Sequence, residues 1–179
     1  MIKKTSFLTH LECSMCGQRL KADHLWNLCP DCNKPLLARY NLEAARGAIN
    51  PEGIARREPN LWRYCELLPL SDPRHVLCLG EGFTPLIKAD RLGQAVGFDN
   101  LFIKDEGLNP TGSFKARGLG VAVSRARELG VTALSIPSAG NAAGALSAYA
   151  ALAGIPAYVF LPRDVPSPLW LSAVPWALK

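Results

Sequence analysis

Residues 129–162 contain no charged side chain, and this run constrains the fold more than any other feature of the chain. A stretch without charge must be buried, either in lipid or under other protein. Pro137, Gly140, Asn141, Gly154 and Pro156 divide it into TALSIP, AAGALSAYAALA and AYVFL. Each piece is shorter than the roughly 20 apolar residues that a membrane-spanning helix needs. A strand, a helix and a second strand buried in a parallel sheet fit instead, which makes the fold class α/β and leaves no membrane partner to expect.

The chain has 179 residues, enough for one main domain plus an appendage. Its N-terminus, MIKKTSFLTHLEC, lacks the apolar stretch of a signal peptide, so a cytoplasmic location and reduced thiols are expected. Cys13, Cys16, Cys29 and Cys32 follow the pattern C-x2-C-x12-C-x2-C, with the turns CSMCG and CPDCN presenting paired thiols. In a reducing compartment this spacing points to zinc ligation rather than disulfides. Four thiolates complete a tetrahedral shell with no open position, so the zinc is expected to be structural and to stabilise a segment too short to fold alone. Four thiolates and a divalent ion together lower the formal charge of +5 to +3. That modest excess, with no long Lys/Arg run, gives no reason to expect nucleic acid as a partner. Nothing specifies an oligomeric state. Cys65 and Cys78 sit alone in apolar contexts and read as small buried hydrophobes.

Residues 41–79 read as connecting structure, with a helix-like NLEAARGAI, a turn at Asn50-Pro51 and a short docked helix in LWRYCELLPL. GEGFTPL at 80–86 reads on its own as a tight structural turn. From residue 101 the local signals agree: LFIK is a strand, DEGLNPTGS a loop, and FKARGLGVAVSRARELG a helix. That helix carries Ala116, Leu119, Val123 and Ala126 on one face and ends at Gly130.

Lys115 therefore falls in the first turn of a helix. There the positive end of the helix dipole opposes an ammonium, and apolar surroundings supplied by Phe114 are expected to oppose it further. Those are the requirements of an imine-forming lysine, although an ordinary surface lysine at a helix start satisfies the same pattern. Gly118 and Gly120 weaken the helix and imply a close neighbour, either a packed element or a cofactor ring. In PSAGNAAG, at 137–144, Ser138, Ala139, Gly140 and Asn141 lie where a strand gives way to a helix and backbone N–H groups converge. This arrangement suits an anion such as a carboxylate, or a plain N-cap by Ser138 or Asn141. Both loops follow strands, and in a parallel sheet such turns face the same side.

GEGFTPL, KDEGLNPTGSFKARG and PSAGNAAGALSAYAALAGIPAYVFLP resemble consecutive blocks of the threonine synthases, within the fold-type-II pyridoxal-phosphate enzymes that include the serine/threonine dehydratases. The cysteine pattern and LWRYCELLPL are similar to the longer bacterial and archaeal members. The resemblance implies an incomplete parallel sheet of the tryptophan synthase beta-like kind. It also implies that Lys115 forms an imine with pyridoxal 5'-phosphate and shuttles protons, and that Asn141 hydrogen-bonds the cofactor. Ser138, Ala139, Gly140 and Asn141 would hold the carboxylate of a small amino-acid substrate. The implied reaction converts O-phosphohomoserine and water to threonine and phosphate. Arg117 either helps attract the phosphate or points to solvent.

The resemblance also implies that the loop cradling the cofactor phosphate lies beyond the matched blocks, so the chain is expected to be the N-terminal portion of such an enzyme, with apolar strand positions left exposed. The expected organisation is a zinc-ribbon-like segment at 1–40, a connecting helical segment at 41–79, a partial cofactor domain at 80–166 and a divergent apolar tail at 167–179. Three functions stay open: a threonine synthase-like lyase, another fold-type-II enzyme such as a dehydratase, or a non-catalytic remnant whose ribbon still folds.

Overall fold

A computed structural model describes residues 6–163; the apolar tail expected at 167–179 lies outside the described residues. Three strands open the chain: β1 (Leu8–Cys13), β2 (Arg19–Leu20) and β3 (Leu36–Tyr40). They form an antiparallel sheet in the order β2-β1-β3, with Leu11 opposite Leu20 and Cys13 opposite Leu36. The two cysteine turns between the strands share one geometry. Gly17 N donates to Cys13 O at 3.2 Å and Asn33 N to Cys29 O at 2.9 Å. Gly17 and Asn33 both hold a left-handed backbone, φ 72° and 57°, which glycine and asparagine adopt at least cost.

The connecting segment forms two short helices and two 3-10 turns, Leu61–Leu67 and Pro73–His75. Helix α1 (Leu42–Ala48) is capped by Asn41 and α2 (Pro51–Ala55) by Asn50. Asn50-Pro51, expected as a turn, thus starts a helix, because Pro is favoured at its first position and the preceding Asn side chain accepts from Gly53 N. The 3-10 stretch Leu61–Leu67 buries Trp62. Cys65 and Cys78 are half-buried, and burial raises both thiols above their ordinary value.

Strands β4 (Leu86–Lys88) and β5 (Phe102–Lys104) flank helix α3 (Asp90–Val96) and pair antiparallel, Ile87 opposite Ile103. Leu86, Ile87, Phe102 and Ile103 are all exposed on this ribbon. Helix α4 (Lys115–Glu128) leads to β6 (Leu134–Pro137), α5 (Asn141–Ala153) and β7 (Ala157–Phe160). The uncharged run thus folds as strand, helix, strand, with β6 and β7 parallel and Leu134 opposite Ala157. Among the described residues, parallel pairing is confined to these two strands. The strand before α4 belongs to the separate antiparallel ribbon, because the two-turn α3 and left-handed Gly97 send β5 back along β4.

No helix among the described residues is long and apolar enough to cross a membrane. The core lies between α4 and α5, where Leu77, Ala116, Val123, Leu146 and Tyr149 pack together with Leu119, Leu134 and Ile136 at their margin. Residues 143–150 are buried without interruption, so the charge-free run serves packing inside the protein.

Candidate functional site

The four cysteines meet as their spacing requires. The sulfurs of Cys13, Cys16, Cys29 and Cys32 all lie within 4.8 Å of one another, with Cys13 to Cys32 at 3.3 Å and Cys16 to Cys29 at 3.7 Å. A tetrahedral Zn–S shell places its sulfurs roughly 3.8 Å apart, so this donor set fits a thiolate-bound ion. The backbone N–H groups of Cys16 and Met15 point at Cys13 Sγ and pull its thiol down to about 6, whereas hydrogen bonding to Cys13 pushes Cys32 up to about 12.

Lys115 is the first residue of α4; the N-cap residue Phe114 makes no side-chain bond, and Ser113 Oγ accepts from Lys115 N at 3.3 Å. The amine is half-buried and lies over the Phe114 ring, 4.4 Å from its centroid. Phe114 is itself 56% exposed. Among the described residues Phe114 therefore does not supply the buried apolar surroundings expected of it. The ring instead offers its face to the cation, a contact that attracts an ammonium rather than expelling it. The turn Pro110–Gly112, just before Lys115, lies against α5, the helix that Asn141 opens. Inside this turn Thr111 has φ 66°, a left-handed conformation that a β-branched residue adopts only under strain.

Glu106 holds the surroundings of Lys115 together. Its carboxylate accepts from Thr84 Oγ1 at 2.6 Å, from Arg117 Nε at 2.6 Å and Nη2 at 2.8 Å, and from Asn109 Nδ2 at 2.9 Å. The Arg117 guanidinium, aided by Thr84, holds the Glu106 carboxyl down to about 2. Of the two alternatives for Arg117, pointing freely to solvent is not what the structure has: its guanidinium is paired with the Glu106 carboxylate. Asn109 Oδ1 in turn accepts from Gly82 N at 3.0 Å, joining the GEGFTPL turn to the same network.

A second carboxylate, Glu81, is fully buried. It accepts from Trp62 Nε1 at 3.0 Å, Leu79 N at 2.9 Å and Tyr149 Oη at 2.6 Å. Burial and then this bond raise the Tyr149 phenol above its ordinary value. Gly120 owes its place to this hub, since an added Cβ would stand 3.0 Å from Tyr149 Cε1 and 3.1 Å from Glu81 Oε1. Among the described residues, a Cβ on Gly118 would meet nothing within 4 Å. Of the two readings of these glycines, a packed side chain accounts for Gly120 and leaves Gly118 unexplained. Sequence reasoning missed Glu81, Glu106 and Tyr149 as structural hubs; a carboxylate between two glycines was the one available signal.

In the second loop Gly140, rather than Ser138 or Asn141, is the N-cap of α5, and no side chain bonds the free amides of its first turn. Ser138 Oγ accepts from Gly140 N at 3.3 Å, outside the helix. Asn141 is exposed, Ser138 and Gly140 are half-buried, and Ala139 is exposed.

A family model described as pyridoxal-phosphate dependent enzyme matches residues 77–172, a span that includes Lys115 and the Ser138–Asn141 loop. The chain belongs to that family. It is 40% identical over 153 residues to the threonine synthase of Methanosarcina acetivorans, covering 86% of this chain and 37% of that protein. It is 39% identical over 151 residues to the threonine synthase of Methanocaldococcus jannaschii, covering 84% of this chain and again 37% of that protein. The chain thus spans little more than a third of the length of these relatives. A crystal structure of a pyridoxal 5'-phosphate-dependent aspartate racemase superposes with TM-score 0.50 and 29% identity, covering 54% of this chain and 31% of that one.

Proposed function

We propose that this chain carries the lysine and the carboxylate-binding loop of a threonine synthase-type lyase, together with a structural zinc ribbon. Lys115 would hold pyridoxal 5'-phosphate, and Asn141, exposed at the start of α5, would orient it. When bound, this cofactor draws electrons from the substrate carbon attached to the amine. Ser138, Ala139, Gly140 and the free amides of α5 would grip the carboxylate of the amino acid, as uncapped helix starts do for anions. The Lys115 amine would carry protons to and from the substrate carbons. Cys13, Cys16, Cys29 and Cys32 would hold zinc with no position left for substrate, a thiolate site that suits a reducing cytoplasm.

The observation that carries this reading is the family match across both loops, joined to 40% identity with a threonine synthase over most of the chain. The parallel β6-α5-β7 unit supports the sheet that the family resemblance implies, and the division at 1–40, 41–79 and 80–166 is part of the same proposal. The substrate is the finer part of the proposal. The chain supplied with pyridoxal phosphate is expected to form an imine at Lys115, and release of threonine and phosphate in equal amounts from O-phosphohomoserine would assign the substrate. Release of a 2-oxo acid and ammonia from serine or threonine, without that activity, would place the chain with the dehydratases instead.

A further inference from the structure

Helix α4 begins under an electrostatic burden. Its first turn holds Lys115 and Arg117 and has no acidic residue, and the side chain that bonds its first amide, Ser113 Oγ on Lys115 N, is neutral. The positive end of the helix dipole opposes both cations. The segment leading into it is strained as well: Thr111 is left-handed, and its hydroxyl is buried without a partner among the described residues. Strain of this kind persists only where the surroundings over-determine it.

Glu106 supplies that determination. One carboxylate grips the chain on both sides of Lys115, through Asn109 before the strained turn and through Arg117 after it. Thr84 ties the same carboxylate to the segment entering β4, and Gly82 N closes the ring by donating to Asn109 Oδ1. Gly82 permits this close fit. It has φ 97°, and a Cβ there would stand 2.7 Å from Leu61 N and 3.1 Å from Arg117 Nη1.

We propose that Glu106 is a positioning residue for Lys115: by bridging Thr84, Asn109 and Arg117 it fixes the backbone that carries the amine and neutralises the neighbouring guanidinium. Among the described residues this leaves Lys115 as the cation of the helix start that rests on a ring, Phe114, and not on a carboxylate. The inference rests on the reading of Lys115 as the cofactor lysine. It implies that Arg117 serves the amine through Glu106 without touching a ligand.

The test compares the whole chain with its Glu106→Gln and Thr84→Val variants by two measurements. The first is amide hydrogen exchange. The second is the fraction of Lys115 trapped by borohydride after incubation with pyridoxal phosphate, read by peptide mass mapping. In Glu106→Gln, amides of residues 109–117 are expected to exchange about tenfold faster while those of the ribbon are unchanged, and trapping at Lys115 is expected to fall by a similar factor. Thr84→Val, which removes one donor, shifts both in the same direction by less. Unchanged exchange at 109–117 in both variants overturns the proposal. So does faster exchange with undiminished trapping, which would make the clamp merely structural. If the wild type is not trapped at Lys115, the cofactor reading fails, while the exchange result still decides whether Glu106 fixes this backbone.

Discussion

The cysteine ribbon and the Lys115 region differ in how far their residues reach for partners. Every sulfur of the ribbon's cysteine cluster lies between residues 13 and 32, on turns whose left-handed corners are a glycine and an asparagine. The Lys115 region is assembled from Gly82, Thr84, Glu106, Asn109 and Arg117, with Glu81, Trp62, Gly120 and Tyr149 behind it. A metal site needs a few sulfurs at a fixed distance, which one short segment supplies. A reactive amine needs its backbone, charge and neighbours set together, which takes residues distant in sequence.

The largest effect that separates the two regions comes from the metal. About one zinc per chain is expected by elemental analysis, and its removal by a chelator should unfold the ribbon, since structural zinc contributes roughly 10–16 kcal/mol in comparable small sites. The α4–α5 core should keep its far-ultraviolet helix signal. A ribbon that stays folded without metal would make the two regions more alike than argued. Next in size is Glu81→Ala, which strands Leu79 N and the buried Tyr149 hydroxyl, while Trp62 Nε1 keeps its bond to Leu77 O. A loss of about 3 kcal/mol or more is expected in urea denaturation, because each buried unpaired polar group costs about 1–3 kcal/mol.

Smaller and opposite effects are expected at two glycines of one helix. Gly120→Ala places a Cβ against Tyr149 and Glu81 and should cost roughly 1–3 kcal/mol. Gly118→Ala meets open space and should gain roughly 0.5–1 kcal/mol from helix propensity. Equal effects would remove the account of Gly120 as a contact point. The smallest effect is in acid. The carboxyl of Glu106 is lowered from 4.5 to about 2, so its contribution is complete above pH 4.5 and is lost as pH falls toward 2. The difference in melting temperature between wild type and Glu106→Gln should shrink over that window.

The same contrast explains what the sequence made legible. The cysteine spacing, the strand-helix-strand in the uncharged run and Lys115 at a helix start are local patterns, and each appears where its pattern put it. The surroundings of Lys115 are not local. Phe114 was expected to bury the amine, yet its ring is exposed and presents a face to the cation, because the helix start turns it outward. Arg117 meets Glu106 through a fold in the chain that no periodicity encodes. Glu81 reads as part of a turn, and only the approach of α4 to α5 makes it a buried acceptor.

Lys115 is proposed here as the cofactor amine of this chain, and a spectroscopic titration with pyridoxal phosphate decides the matter. The wild type is expected to develop a saturable visible absorbance band that Lys115→Ala lacks while retaining the wild-type circular dichroism. A band of equal strength in Lys115→Ala, or none in the folded wild type, would contradict the claim.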